Sequence, residues 1–411
     1  MAEPLDVRHR AYRTELDPNP AQVQAFLRHA GSCRYIYNWA LSRRIAHYEQ
    51  TGETLSVPAL NRALTELKQS DCPWLYEVSN AALQNAIRHL DSAYRHFFRR
   101  VKAGETPGFP RFKSKKRGLG GFTLNSPVHV EDGRIKLPRI GWVRLKERGY
   151  LPAGIGPVGS PRITSATVTE RAGRWYVSIA VEEHVVPETP ADGPTIAAHL
   201  GVRQLATTSD GEVYSPHASL ERSLRKLKRA QRALSRKQKG SANREKARRR
   251  VAKIHASIAN QRTHALHQVS HAITKRAGSL VLESWDVAGM LTEAAQDKRH
   301  GLARRMSDEA VGELRRQLLY KAQWRGVAVV LAPVAFPSSM RCSQCGAEKR
   351  DLGTTIIYHC THCGLEVDRE QNSVRNLMQM VAGKQPDTGN ASGAGMSPGA
   401  IPAADDEGGT H

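Results

Sequence analysis

Two Cys-x-x-Cys pairs, Cys342-Ser-Gln-Cys345 and Cys360-Thr-His-Cys363, constrain the fold of this chain more than any other feature. Fourteen residues separate them, and each pair offers two thiolates from a single tight turn. A glycine follows each pair, Gly346 and Gly364, as such turns require. Four soft ligands at this spacing predict a tetrahedral structural Zn2+. With no open coordination position, that ion staples a loop and does no chemistry itself. The other two cysteines, Cys33 and Cys72, stand alone, which suits a reducing compartment where thiols serve metals. Cys33 falls on the apolar stripe of a predicted helix and reads as core.

Charge narrows the partner. The 411 residues carry 61 Lys and Arg against 39 Asp and Glu, a net +22, which suits a polyphosphate rather than a small neutral substrate. Residues 221–262 alone hold sixteen Lys and Arg against Glu221 and Glu245, supplying +14 of that charge. Lys239-Gly240-Ser241 divides the stretch, and Leu224, Leu227, Leu234, Val251, Ile254 and Ile258 keep an apolar seam. The pattern predicts a helical hairpin at 217–277 whose outer face turns Arg225, Lys226, Arg229, Arg232, Arg236, Arg248 and Arg249 toward a nucleic-acid backbone. A second basic stretch sets Arg99, Arg100, Lys102, Arg111, Lys113, Lys115, Lys116 and Arg117 around Phe97, Phe98, Phe109, Phe112 and Phe122. Cations fix phosphates and flat rings stack on unpaired bases. Phe97 and Phe98 are expected in the core, while Phe109 and Phe112 fit either role. The charged N-terminus lacks a secretory pattern, and no apolar run nears the ~20 residues of a membrane span. The expected setting is the cytoplasm.

Along the chain, residues 8–16 read as a strand. Asn19-Pro20-Ala-Gln22 then caps a helix with Val23, Phe26, Leu27, Ala30, Cys33, Tyr37, Ala40 and Leu41 at helical spacing. Two more helical patterns run to about 102. Alternation with turn signals from 122 to 187 predicts antiparallel strands, and 187–194 a linker. Three short strands follow within 195–214. Further on come the apolar strand 279–283, a helix near 307–325, a strand at 327–331 and a helix from about 368 to 381. The tail, 383–411, has no periodicity and is expected to be disordered.

Ser338-Ser-Met-Arg-Cys-Ser-Gln-Cys-Gly346, the second Cys pair and the Asp368-Arg-x-x-Asn372-x-x-x-Asn376 helix resemble the C-terminal signature of the TnpB family, transposon-encoded RNA-guided relatives of type V CRISPR effectors. Gly108-Phe-Pro-Arg-Phe-Lys-Ser-Lys115, Leu200-Gly-Val-Arg-Gln-Leu-Ala206 and Leu282-Glu-Ser-Trp-Asp-Val-Ala-Gly289 match it in order. The resemblance implies a multi-domain α/β chain: a wedge β-barrel (1–17 and 119–188) with an inserted helical recognition lobe (18–118). An RNase H-like RuvC domain (194–339) with a zinc ribbon (340–366) and a last RuvC helix (367–382) would follow. It also implies a guide RNA and a double-stranded DNA target with a short flanking motif as partners.

In that family an Asp, a Glu and an Asp hold two Mg2+ ions. Carried over residue by residue, these positions are His199, Glu283 and Glu370. Two-metal cleavage needs bridging carboxylates around hard cations, and an imidazole supplies neither charge nor bridge. Glu370 sets its carboxylate out by about one methylene, a displacement that alone can cost ~10²-fold. Mg2+ binding is thus expected to be lost or weak. Among possible replacements Asp192, Asp210 and Glu212 lie in the linker or at the wrong end, Asp368 faces away, and Asp286 is the nearest. His199 could instead serve a softer metal such as manganese or zinc. The expectation is a nuclease-dead, RNA-guided DNA-binding protein acting as a transcriptional repressor. The alternatives are an active or weakened RNA-guided endonuclease, and a zinc-ribbon RNA-binding protein without a DNA target.

Overall fold

A computed structural model describes residues 6–125, 127–151, 161–185, 192–201, 203–215, 218–284, 301–334, 336–349 and 355–383. Asp286 and the tail beyond 383 lie outside these residues. The chain divides into two compact units, Met1–Val186 and Pro187–His411.

The first unit couples a sheet to helices. Its strands are β1 (Asp6–Asp17), β2 (Gly121–Asn125), β3 (His129–Glu131), β4 (Arg134–Leu137), β5 (Gly141–Leu145), β6 (Arg162–Arg171) and β7 (Arg174–Val185). They pair in the order β2-β6-β7-β1-β5-β4-β3, so the first strand of the chain sits inside the sheet between β7 and β5. Helices α1 (Pro20–Thr51), α2 (Val57–Gln69) and α3 (Asn80–Lys102) are inserted after β1. The α1 start is a capping box: Gln22 N donates to Asn19 Oδ1 at 2.9 Å and Asn19 N to Gln22 Oε1 at 3.0 Å. Gly52 closes the helix at φ 72, a conformation that suits a residue without Cβ. Phe26, Ile36, Leu41, Leu83, Ile87 and Leu90 from the helices share one core with Leu124, Val168, Val177 and Ile179 from the sheet.

The second unit has a five-stranded sheet of β8 (Thr195–His199), β9 (Ala206–Thr208), β10 (Val213–Tyr214), β11 (Ser279–Glu283) and β12 (Ala328–Ala332), in the order β10-β9-β8-β11-β12. β11 runs parallel to both β8 and β12, and such doubly covered strands read as continuous apolar runs. The entries to β8 and β11 meet through glycine: a Cβ on Gly278 would overlap the Gly193 carbonyl. Helices α4 (Ala218–Ser235), α5 (Ala242–Arg276) and α6 (Gly301–Trp324) follow β10 and β11. Leu266, Val269 and Ile273 of α5 and Val311, Leu314 and Leu318 of α6 cover one face. Val374 and Leu377 of α7 (Arg369–Ala382) pack on Ala197, Val281 and Ala332 of the other. Strands β13 (Ile357–His359) and β14 (Glu366–Asp368) form the small antiparallel sheet of the Cys region. Among the described residues no helix is long and apolar enough to cross a membrane.

Candidate metal centre, acidic cluster and basic surfaces

The cysteines converge. Their four sulfurs lie within 4.8 Å of one another, with Cys342 Sγ 3.6 Å from Cys363 Sγ and Cys345 Sγ 3.6 Å from Cys360 Sγ. Sulfurs at ~2.3 Å from one zinc would stand about 3.8 Å apart, so the donor set and its spacing fit that ion. Two backbone turns build the site: Gly346 N donates to Cys342 O at 3.0 Å and Gly364 N to Cys360 O at 2.9 Å, with both glycines at positive φ. N–H groups of Cys363 and His362 help pull Cys360 down to about 6, favouring the thiolate a metal needs. Tyr358 fills the space beneath and is fully buried.

The Asn372 and Asn376 signature acquires a structural role here. Asn372 Nδ2 donates to Arg341 O at 2.7 Å, and Asn372 Oδ1 accepts from Ser343 N at 2.9 Å. Asn376 Nδ2 donates to Ser338 O at 2.7 Å and to Arg341 O at 2.6 Å. Spaced four apart, the two amides share one helix face and tie α7 to the first Cys turn. Gln379 Nε2 adds a bond to Ser343 O at 2.6 Å.

His199, Glu283 and Glu370 come together at the carboxyl end of the parallel strands, where open α/β sheets place their ligands. The register Leu282↔Ala198 sets the ends of β8 and β11 side by side, and His199 Nδ1 lies 3.2 Å from Glu283 Oε1. A methyl group on Gly201 would press on Gln204 O at 3.1 Å and stand 3.6 Å from Glu370 Oε1 and 3.8 Å from His199 Nε2, so both side chains lie beside this glycine. Burial disfavours a charged His199, but the hydrogen bond and charge of Glu283, with Glu370 behind them, outweigh it and raise its pKa above the ordinary value. Ser338 Oγ donates a hydrogen bond to Glu283 Oε1.

Glu370, 8 % exposed, is engaged at both oxygens: Oε1 accepts from Arg203 Nε at 3.2 Å and Oε2 from Thr207 Oγ1 at 3.0 Å. Arg203 also reaches Asp368 Oδ2 at 2.8 Å. Burial raises the Asp368 pKa, yet Arg203 and the N–H groups of Glu370 and Gln371, which Asp368 caps, hold it below its usual value. Asp210 pairs with Arg276 at 2.8 Å, next to the start of β11 and away from Glu283. Among the described residues, the four cysteines are the only group of three or more His, Cys, Asp or Glu gathered tightly enough to share one ion. Arg203, Thr207 and Ser338 are the partners sequence reading missed.

On the basic hairpin, Leu227 and Ile258 are buried in the seam and Arg225, Lys226, Arg229, Arg232, Arg236, Arg248 and Arg249 are exposed. Arg248 and Arg249 both reach Glu245, at 2.9 and 3.4 Å. In the first unit Arg111, Phe112, Lys113, Lys115 and Lys116 are exposed. Three aromatic expectations need correction. Phe97 is only partly buried and packs on Phe98 and Phe109 rather than in the core. Phe98 is not core: it is 58 % exposed, because helical spacing gives the face a side chain occupies and not whether anything covers that face. Phe122, grouped with the contact aromatics, is buried in β2 against Phe26 and His29, since strand alternation turns it inward.

Family models match three stretches: OrfB_IS605, "Probable transposase", at 178–294; Cas12f1-like, TNB domain, at 312–377; and a "Helix-turn-helix domain" of OrfB_IS605 at 8–53. Over the last of these the structure has β1 and a single long helix. "Putative RNA-guided DNA endonuclease InsQ" of Escherichia coli (strain K12) is 33 % identical over 90 % of this chain and 92 % of its own length. A "Putative RNA-guided DNA endonuclease" of Streptomyces pristinaespiralis is 33 % identical over 90 % and 88 %. In fold, the chain is similar to the protein of the Cas12f1-sgRNA-target DNA complex, with a TM-score of 0.52 at 12 % identity, covering 87 % of this chain and 82 % of that one. With these relatives matched over nearly their whole length, and with the signature helix tied to a four-cysteine centre, the chain belongs to the TnpB family.

Proposed function

We propose that this chain is an RNA-guided DNA-binding protein whose nuclease site no longer holds the ions of phosphodiester cleavage, and that it represses transcription by occupying its target. The observation that carries the reading is His199 paired with Glu283 at 3.2 Å, where a carboxylate would be needed. Two hard cations about 3.5–4 Å apart require bridging oxygens and negative charge. His199 supplies neither, and once protonated it is itself the counter-charge of Glu283. Both Glu370 oxygens already accept hydrogen bonds, from Arg203 and Thr207. The residues present do not fit a Mg2+ pair, and no hydrolytic step follows from them.

Within this reading, residues 194–339 and α7 form a RuvC-like domain stapled by a Zn2+ ribbon, and the seven-stranded sheet with its inserted helices is the wedge and recognition lobe. A guide RNA reads sequence by pairing while the protein reads a short flanking duplex. A second reading, an active endonuclease, is favoured by the descriptions of the relatives and by the retained Glu283. Sequencing the RNA that co-purifies with the protein, then offering labelled target duplex with Mg2+, separates the two. Guide-dependent capture of intact duplex is expected, and His199→Asp with Glu370→Asp is expected to restore cutting. Scission by the unaltered protein removes the proposal. RNA binding without DNA capture leaves a zinc-ribbon RNA-binding protein.

A further inference from the structure

We infer that the exposed aromatic patch at the carboxyl end of α3 is a stacking platform for the unpaired bases of a single-stranded nucleic acid. The inference rests on the nucleic-acid-binding reading above and adds the class of strand and the side chains that select it. Phe98 and Phe109 belong to the patch and are 58 % and 48 % exposed, and Phe112, 54 % exposed, follows on the same loop. Their setting is built rather than loose. Phe109 stands edge-on to Tyr94 and Phe97 at centroid distances of 5.7 and 5.5 Å, and Phe97 packs edge-on to Phe98 at 5.2 Å. The loop carrying Phe109 and Phe112 is pinned to α1, where Lys113 N donates to Asn38 Oδ1 at 2.7 Å and Asn38 Nδ2 to Lys113 O at 2.9 Å.

Charge decides the occupant. The last turn of α3 carries Arg99, Arg100 and Lys102, and Arg111, Lys115 and Lys116 lie exposed on the same loop as the rings or just beyond it. A second copy of a chain with net charge +22 would meet repulsion across such a surface. Phosphates would be attracted. A duplex keeps its bases stacked inside, so exposed rings add nothing to duplex binding, whereas an unpaired strand offers a π-face at every base.

The test uses the full chain and the triple variant Phe98→Ala, Phe109→Ala, Phe112→Ala, with fluorescent oligouridine, oligothymidine and a duplex of equal length as probes. Stacking is worth ~1–3 kcal/mol per base, so single-strand affinity should fall about tenfold or more while duplex affinity holds. The slope of log K against log salt should not change, because no phosphate contact is removed. Arg99→Gln with Arg100→Gln should instead weaken both probes and flatten that slope. Equal losses on oligouridine and oligothymidine assign the platform to bases of either strand. A loss confined to one assigns it to guide RNA or to displaced DNA. If truncation disturbs folding, the Phe→Leu triple keeps the bulk and removes the flat rings, with the same expected outcome. Equal loss on duplex and single strand overturns the inference. So does unchanged single-strand affinity, including the case in which light scattering shows altered self-association. A wild-type chain that binds none of the probes overturns the underlying reading instead.

Discussion

The cysteine cluster and the His199–Glu283–Glu370 cluster flank the same helix, α7, and meet the problem of crowded ligands in opposite ways. Four sulfurs within 4.8 Å are all of one kind, and their thiolates repel until a cation joins them. The acidic cluster is met from within the protein, since Glu283 favours the protonated form of His199 and Arg203 is a fixed cation. His199 answers Glu283, Arg203 answers Glu370 and Asp368, and the hydroxyls of Ser338 and Thr207 occupy further lone pairs. A metal site is therefore recognised less by its ligands than by whether the protein leaves their charge unanswered. On our proposal the first cluster requires an ion and the second does not.

The largest expected effect breaks the first half of that comparison. Stripping zinc with a strong chelator at neutral pH, or Cys360→Ser, should unfold the ribbon and lower the melting temperature by on the order of 10 °C or more. Added Mg2+ or its removal should leave the wild-type melt unmoved. Next, His199→Asp with Glu370→Asp should turn the second cluster into the first kind. Without metal the double variant should be less stable than wild type, and Mg2+ should stabilise it by about 2.7 kcal/mol at a hundredfold excess over Kd, read as a melting shift. A variant that ignores Mg2+ would mean that the cradle is damaged elsewhere.

Asn372→Ala should cost about 1–3 kcal/mol in denaturant unfolding, because Ser343 N loses its acceptor in a buried setting. Zinc content should stay intact, since the change loosens the tie and not the ligands. The smallest effect is a pH dependence. The folded pKa of His199 is raised, so its pairing contributes stability that is fully present below the unfolded value of about 6.5. That contribution is lost as pH rises through the folded value. His199→Gln should flatten this limb, read in urea titrations at stepped pH.

How much was legible in the sequence follows the range of the interactions. The Cys turns and the Asn19 capping box are fixed within four residues, and both form where their spacing places them. The positions His199, Glu283 and Glu370 came from the family resemblance, and the parallel pairing of two apolar runs sets the first two side by side. The electrostatics of the site followed from neither. Arg203 meets Glu370 across 167 positions and Ser338 meets Glu283 across 55, and no local pattern announces either. Phe98 shows the same limit at the surface, since helical spacing is silent about whether a face is covered.

The central claim concerns what Glu283 can still do. Guide-loaded wild-type protein, incubated at length with supercoiled target plasmid in Mg2+, should leave it as intact as the Glu283→Gln variant does. Linear product from the wild type that disappears in Glu283→Gln would contradict the account.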